Sequence, residues 1–334
     1  FFNEQHFFQH LFDLLLSQGS QVNSSLVAAQ QLLVSLGAHS KRSALFVELW
    51  LSDDNLRNFF TALTQLDVGG KERLTLLIDF FRQSLSFHLK EESKFILQVE
   101  SIIGEYLNLF IGQIKTLSNP SSINKLGLVR LKMAELMQLL ISLVPLSPLI
   151  GQSLVEAGCF SLLIELFFEF KRNNFLHTLL VDSVKSISQV GKEGCDICMK
   201  HLLLDTHLIQ LILEAFRMQA SVRALPLSGS PQQTVSYMGH LVVICDLICA
   251  YSTEHPSIDK AIRERLEETD WTTFITTSYA TTKSIESSLL GGMEAPTILP
   301  EDLYSDIDND VTKESFISVQ SNNTLEQVLF FIFF

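Results

Sequence analysis

Glycine and proline are scarce in this 334-residue chain, at 15 and 8, and only 18% of its residues are charged. With few turn-formers, a fold of many tight hairpins is disfavoured. No run of strict polar/apolar alternation is long enough to argue for a sheet. Positive charge is also in deficit. A formal net charge of −13 repels phosphate backbones, so no nucleic-acid partner is expected. No basic flank and cleavage site open the chain, so no secretory signal is recognised. It has no starting Met and its first residues already look helical, which suggests a piece of a longer protein.

Motifs that carry chemistry are missing too. No P-loop, GxGxxG or GxSxG occurs. Histidines and acids are scattered and form no nucleophile, base and orienter, so neither a catalytic residue nor a cofactor is expected. Cys195-Asp196-Ile197-Cys198 with His201 is the best metal candidate. A structural zinc takes four ligands and no second CxxC follows, so no metal is expected. Asp306-Ile307-Asp308-Asn309-Asp310 begins like an EF-hand loop. Val311 and Ile317 stand where that loop needs Gly and Glu, so an acidic tail is the better account.

The five cysteines (Cys159, Cys195, Cys198, Cys245 and Cys249) are odd in number and sit in apolar helical patterns. That fits reduced, buried thiols and a cytoplasmic or nuclear setting. Leu136 to Val155 runs twenty residues without a charge, but contains Pro145 and Pro148. A helix–turn–helix explains it better than a membrane span.

What is present is apolar and helical. Hydrophobic residues make up 47% of the chain, and 25 residues are Phe. Ile96, Val99, Ile103, Tyr106, Phe110, Ile114 and Leu117 recur every three or four residues and mark one buried stripe. Leu176, Leu180, Val184 and Ile187 do the same after Asn174. Ser52-Asp53-Asp54 is placed to cap a helix, and Pro256 suits a first turn. Between Leu149 and Phe170 the pattern is a short helix, a corner at Glu156-Ala157-Gly158, then a long apolar helix. That is the armadillo-type arrangement, in which a unit cannot bury its apolar face alone and must stack on neighbours. The predicted fold is all-α, an α-solenoid of degenerate armadillo/HEAT-like repeats. Residues 1–290 form its helical-repeat domain and 221–236 a polar loop. Residues 291–334 form an acidic tail, disordered or peripheral. Between 291 and 323 seven acids stand against Lys313 alone.

Two polar clusters interrupt the apolar pattern. Lys171-Arg172-Asn173-Asn174-Phe175-Leu176-His177 has a plain reading as a helix–helix turn with an Asn N-cap and Phe175 as a hydrophobic staple. Tyr237-Met238-Gly239-His240-Leu241 has one as a helix start in which Gly239 permits close packing. The functional reading of both is a partner-binding site, and the residue types do not decide between the two.

At these clusters the chain resembles the SAPS-domain family, the regulatory subunits of protein phosphatase 6 and its fungal counterpart. Asn173-Asn174-Phe175-Leu176-His177-Thr178 is similar to that family's NNFLHT signature, which follows paired aromatics as Phe167-Phe168 does here. Tyr237-Met238-Gly239-His240-Leu241 is similar to its YMGHL. Ser252-Thr253, and Arg263-Glu264-Arg265 with Trp271 and Phe274, extend the likeness. It is specific over 126–290, and the family's more N-terminal part looks absent. The resemblance implies a non-catalytic scaffold that binds a Ser/Thr protein phosphatase catalytic subunit and directs its targeting, and that in some members recruits ankyrin-repeat subunits. It also implies partner-binding or motif roles for Asn173, Asn174, Phe175, His177, Tyr237, Met238, Gly239 and His240. The alternative is a generic armadillo/HEAT-type adaptor for an unrelated protein.

Overall fold

The computed structural model describes residues 4–16, 24–38, 48–50, 52–64, 71–88, 92–116, 126–224, 236–266 and 268–287. The acidic stretch 291–323, the EF-hand-like run at 306–310 and most of the 221–236 loop lie outside them. Among the described residues there are helices and no strand. In chain order they are α1 (Glu4–Leu16), α2 (Ser24–Ala38), α3 (Asp53–Thr64), α4 (Lys71–His88), α5 (Glu92–Thr116), α6 (Leu128–Ile141), α7 (Pro148–Glu156), α8 (Cys159–Glu169), α9 (Asn174–Ile187), α10 (Glu193–Lys200), α11 (Leu208–Ala224), α12 (Met238–Glu254), α13 (Pro256–Arg265), α14 (Glu268–Phe274) and α15 (Ala280–Ser287). A 3-10 turn, Val144–Leu146, precedes α7, and π turns follow α10 (His201–Asp205) and α14 (Ile275–Tyr279). The chain divides into two units, Phe1–Ala280 and Thr281–Phe334.

The helices of the first unit stack in two rows. One row runs α1, α3, α5, α7, α10, with α13 packed on the π turn after α10. The other runs α2, α4, α6, α9, α12. Partners across the rows include α1 with α2, α3 with α4, α5 with α6 and α12 with α13. Up to α6 each repeat is a helix pair, as in HEAT units. From α7 onward a third helix, α8 and then α11, is added between the row members, as in armadillo units. Nearest-neighbour stacking of this kind is a solenoid, which agrees with the sequence expectation.

Local chemistry explains where the helices break. Pro148 opens α7 behind the Ser147 N-cap, whose hydroxyl accepts from Ile150 N at 3.2 Å. The uncharged run is therefore α6, a 3-10 turn and α7, and among the described residues no single helix is long and apolar enough to cross a membrane. Gly158 takes φ 76°, the left-handed corner between α7 and α8. Gly151 and Gly194 let α7 and α10 touch. A Cβ on Gly194 would lie 2.7 Å from the Val144 carbonyl oxygen and 3.0 Å from Pro148 Cα.

One hydrophobic core runs the length of the rows. Its first part is aromatic. Trp50 stacks on Phe12 at 5.8 Å and meets Phe59 and Phe80 edge-on at 5.1 and 4.9 Å. Polar ties join row neighbours: Arg57 with Glu105 at 2.6 Å between α3 and α5, and Arg82 with Glu135 at 3.0 Å between α4 and α6. Asp259 and Arg263 pair at 2.8 Å along α13, as their i,i+4 spacing allows.

Candidate functional site

The site forms where α8 ends, α9 begins and α12 begins. The Asn173 amide donates to the Phe170 carbonyl at 2.9 Å, closing the turn out of α8. The Asn173 side chain then caps α9, accepting from Leu176 N at 3.0 Å. Asn174 and Phe175 follow as the first two helical residues. Both are exposed, with Phe175 78% accessible. The expected staple is therefore absent. A staple joins the residue before the cap to the fourth helical position, which here are Arg172 and His177. Phe175 falls on the second position, which turns its ring to solvent. Thr178, one turn on, is exposed as well.

His177 occupies the fourth position and points inward with Leu176, Leu180 and Val184. It is fully buried. Its ring sits 4.5 Å from Phe167, 5.7 Å from Tyr237 and 5.4 Å from His240, centroid to centroid. Tyr237, just before α12, is buried and meets Phe167 and Phe168 edge-on at 5.4 and 5.5 Å. The Ser236 hydroxyl donates to the Lys171 carbonyl, fastening the start of α12 to the α8–α9 turn. The two clusters, some sixty residues apart in sequence, are thus one packed unit.

Burial shapes the electrostatics. It lowers the His177 pKa, and the His240 charge lowers it further; the carbonyls of Phe167 and Phe170 oppose the shift. Among the described residues no hydrogen bond of good geometry reaches either ring nitrogen. Burial lowers the His240 pKa as well and raises that of the Tyr237 phenol. Met238 is half-buried against the core.

Gly239 differs from the sequence expectation. It is exposed, and a Cβ there would meet nothing within 4 Å, so close packing within this chain does not call for it. The candidate residues therefore divide. His177 and Tyr237 are buried pins, and Asn173 is a cap. Asn174, Phe175 and Gly239 form the outward edge, and Met238 and His240 lie between. Arg130, on α6, joins this corner without any sequence signal. Its guanidinium lies 5.0 Å over the Phe170 ring and donates to the Leu126 carbonyl at 2.6 Å.

Among the described residues no group of three His, Cys, Asp or Glu is placed to hold a metal ion. Cys195 and Cys198 are buried helix residues instead. Their thiols face the Ser186 and Gly151 carbonyls at 3.7 and 3.6 Å. Burial pushes the thiols of Cys198 and Cys195 up to about 12 and about 11.

Residues 144–288 match the family described as SAPS, SIT4 phosphatase-associated protein. Over 151 residues, 40% of this chain, it is 30% identical to serine/threonine-protein phosphatase 6 regulatory subunit 3 of Gallus gallus. It is 31% identical over 152 residues, again 40% of the chain, to regulatory subunit 3-A of Xenopus laevis. Extragenic suppressor of kinetochore protein 1 of Schizosaccharomyces pombe is 23% identical over 154 residues, 44% of this chain and 18% of its own length. The matched part spans 17% of the length of the two vertebrate relatives. No solved structure matches. Both packed clusters fall inside the matched region, and the resemblance read from them is to this same family.

Proposed function

Because residues 144–288 carry the SAPS family's pattern, we propose that this chain is a non-catalytic regulatory scaffold that binds a Ser/Thr protein phosphatase catalytic subunit, of the protein phosphatase 6 type, and directs where it acts. The observation that supports it most is the joining of the two signature clusters into one site with an exposed edge. Asn174, Phe175 and Thr178 at the start of α9 and Gly239 at the start of α12 make that edge. They are the proposed contact residues. An exposed Phe is an efficient anchor in a protein interface, and a bare Gly backbone lets a partner approach closely. His177 and Tyr237 hold the edge in place rather than touching the partner. Reduced, buried thiols suit a cytoplasmic or nuclear setting, and ankyrin-repeat subunits are further candidate partners. Purification from the native cell tests the reading: a Ser/Thr phosphatase catalytic subunit should co-purify. A partner set lacking one would favour the generic adaptor.

A further inference from the structure

We propose that His177 and His240 form a proton-operated latch between α9 and α12, which presents the Asn174–Phe175–Thr178 edge while both imidazoles are neutral and loosens it when they take up protons. The geometry carries this. His177 is fully buried, and among the described residues no hydrogen bond of good geometry reaches either of its nitrogens. Its ring faces that of a second histidine 5.4 Å away, across the contact of the two helices.

The rings, carbonyls and charged groups of this corner come from four elements. From α8 and the turn after it come the Phe167 ring and the carbonyls of Phe167 and Phe170. From the start of α12 come Tyr237, the residue just before the helix and a neutral phenol at these pH values, and His240. Further out, on α6, Arg130 is a cation held over the Phe170 ring. On α9 itself Asp182 and Lys185 lie beyond the site and act on each other. Among the described residues no carboxylate is among the groups that shift either ring. A proton on His177 therefore finds two carbonyls and the other histidine, and a proton on His240 finds burial and His177. A second proton sets two like charges side by side in an apolar wall. Two neutral rings avoid both costs. The first turn of α9 is the part free to yield, since Asn174 and Phe175 already face solvent.

Hydrogen–deuterium exchange on the whole chain tests the latch without any phosphatase, so its outcome is separate from that of the proposed function. Amides 174–180 and 238–243 are compared with those of α4 at pH 7.5 and 5.5, after correction for intrinsic exchange. Below about pH 6.5 the opening equilibrium should rise by up to about tenfold per pH unit for each proton taken up. His177→Phe should remove most of the rise, and His240→Gln should reduce its steepness from two protons toward one. If the Phe variant fails to fold, the His240 variant and the histidine ring titrations by NMR still decide. Both rings should titrate below about 6.5, the ordinary histidine value. Equal protection at the two pH values, a rise shared equally by α4, or either ring titrating above that value would overturn the latch.

Discussion

The His177 and His240 rings lie 5.4 Å apart, the fourth residue of α9 against the third of α12. A contact so early in both helices, which pack on each other in the row, brings their starts to one edge of it. The exposed Asn174, Phe175 and Gly239 all belong to that edge.

Stability should depend on pH through these rings. Burial holds both below the ordinary histidine value of 6.5, which the unfolded chain retains. Their contribution is therefore complete above about pH 6.5 and is lost as pH falls through that value toward the folded-state pKa. Urea midpoints at pH 7.5, 6.5 and 5.5 should fall in that order, and His177→Phe should flatten the trend. A midpoint that rises on acidification would refute the assignment.

Phe167 and Phe175 should separate packing from binding. Phe167 is fully buried against Phe168, His177 and Tyr237, so Phe167→Ala should cost about 3–5 kcal/mol of stability. Phe175→Ala removes an exposed ring and should change stability by no more than about 0.5 kcal/mol. Denaturant titration of the two variants checks the contrast.

Two glycines should respond oppositely to alanine. Gly194→Ala drives a Cβ into the backbone of Val144 and Pro148 and should destabilise by about 1–3 kcal/mol. Gly239→Ala meets open space in a helix and should be neutral or stabilise by up to about 1 kcal/mol. Thermal melts of both variants report the signs.

The four buried thiols should be inert while the chain is folded. All five cysteines are free. Burial pushes Cys159 and Cys198 to about 12 and Cys195 to about 11, and raises Cys245 and Cys249 too. Iodoacetamide at pH 7.5 should label the four buried thiols, Cys159, Cys195, Cys198 and Cys245, only on the timescale of unfolding, and the half-buried Cys249 sooner. Rapid labelling of Cys195 or Cys198 in the native chain would show that α7 and α10 do not stay closed.

The helices are legible in the sequence because their signals are local. The Ile96–Ile114 stripe, Pro256 at a first turn and Gly158 at a corner each act within a few residues. The row order is not, because α6 meeting α9 while skipping α7 and α8 is decided by which faces are left to bury. Within the site, the Asn173 cap is visible from its position before an apolar run. The outward turn of Phe175 follows from its place two residues after that cap, a one-position difference that distinguishes a staple from an exposed ring. The Phe167–Tyr237 contact and Arg130 over Phe170 give no sequence signal, since each joins residues about forty or more positions apart.

The most direct test of the proposed contact is the affinity of a purified Ser/Thr phosphatase catalytic subunit of the protein phosphatase 6 type for this chain and for its Asn174→Ala/Phe175→Ala variant, with the fold of each verified by its melt. The double variant should keep its fold and bind at least about tenfold more weakly, the loss expected when an interface anchor is truncated. Equal affinity of the two chains, or no binding by either, would contradict the account.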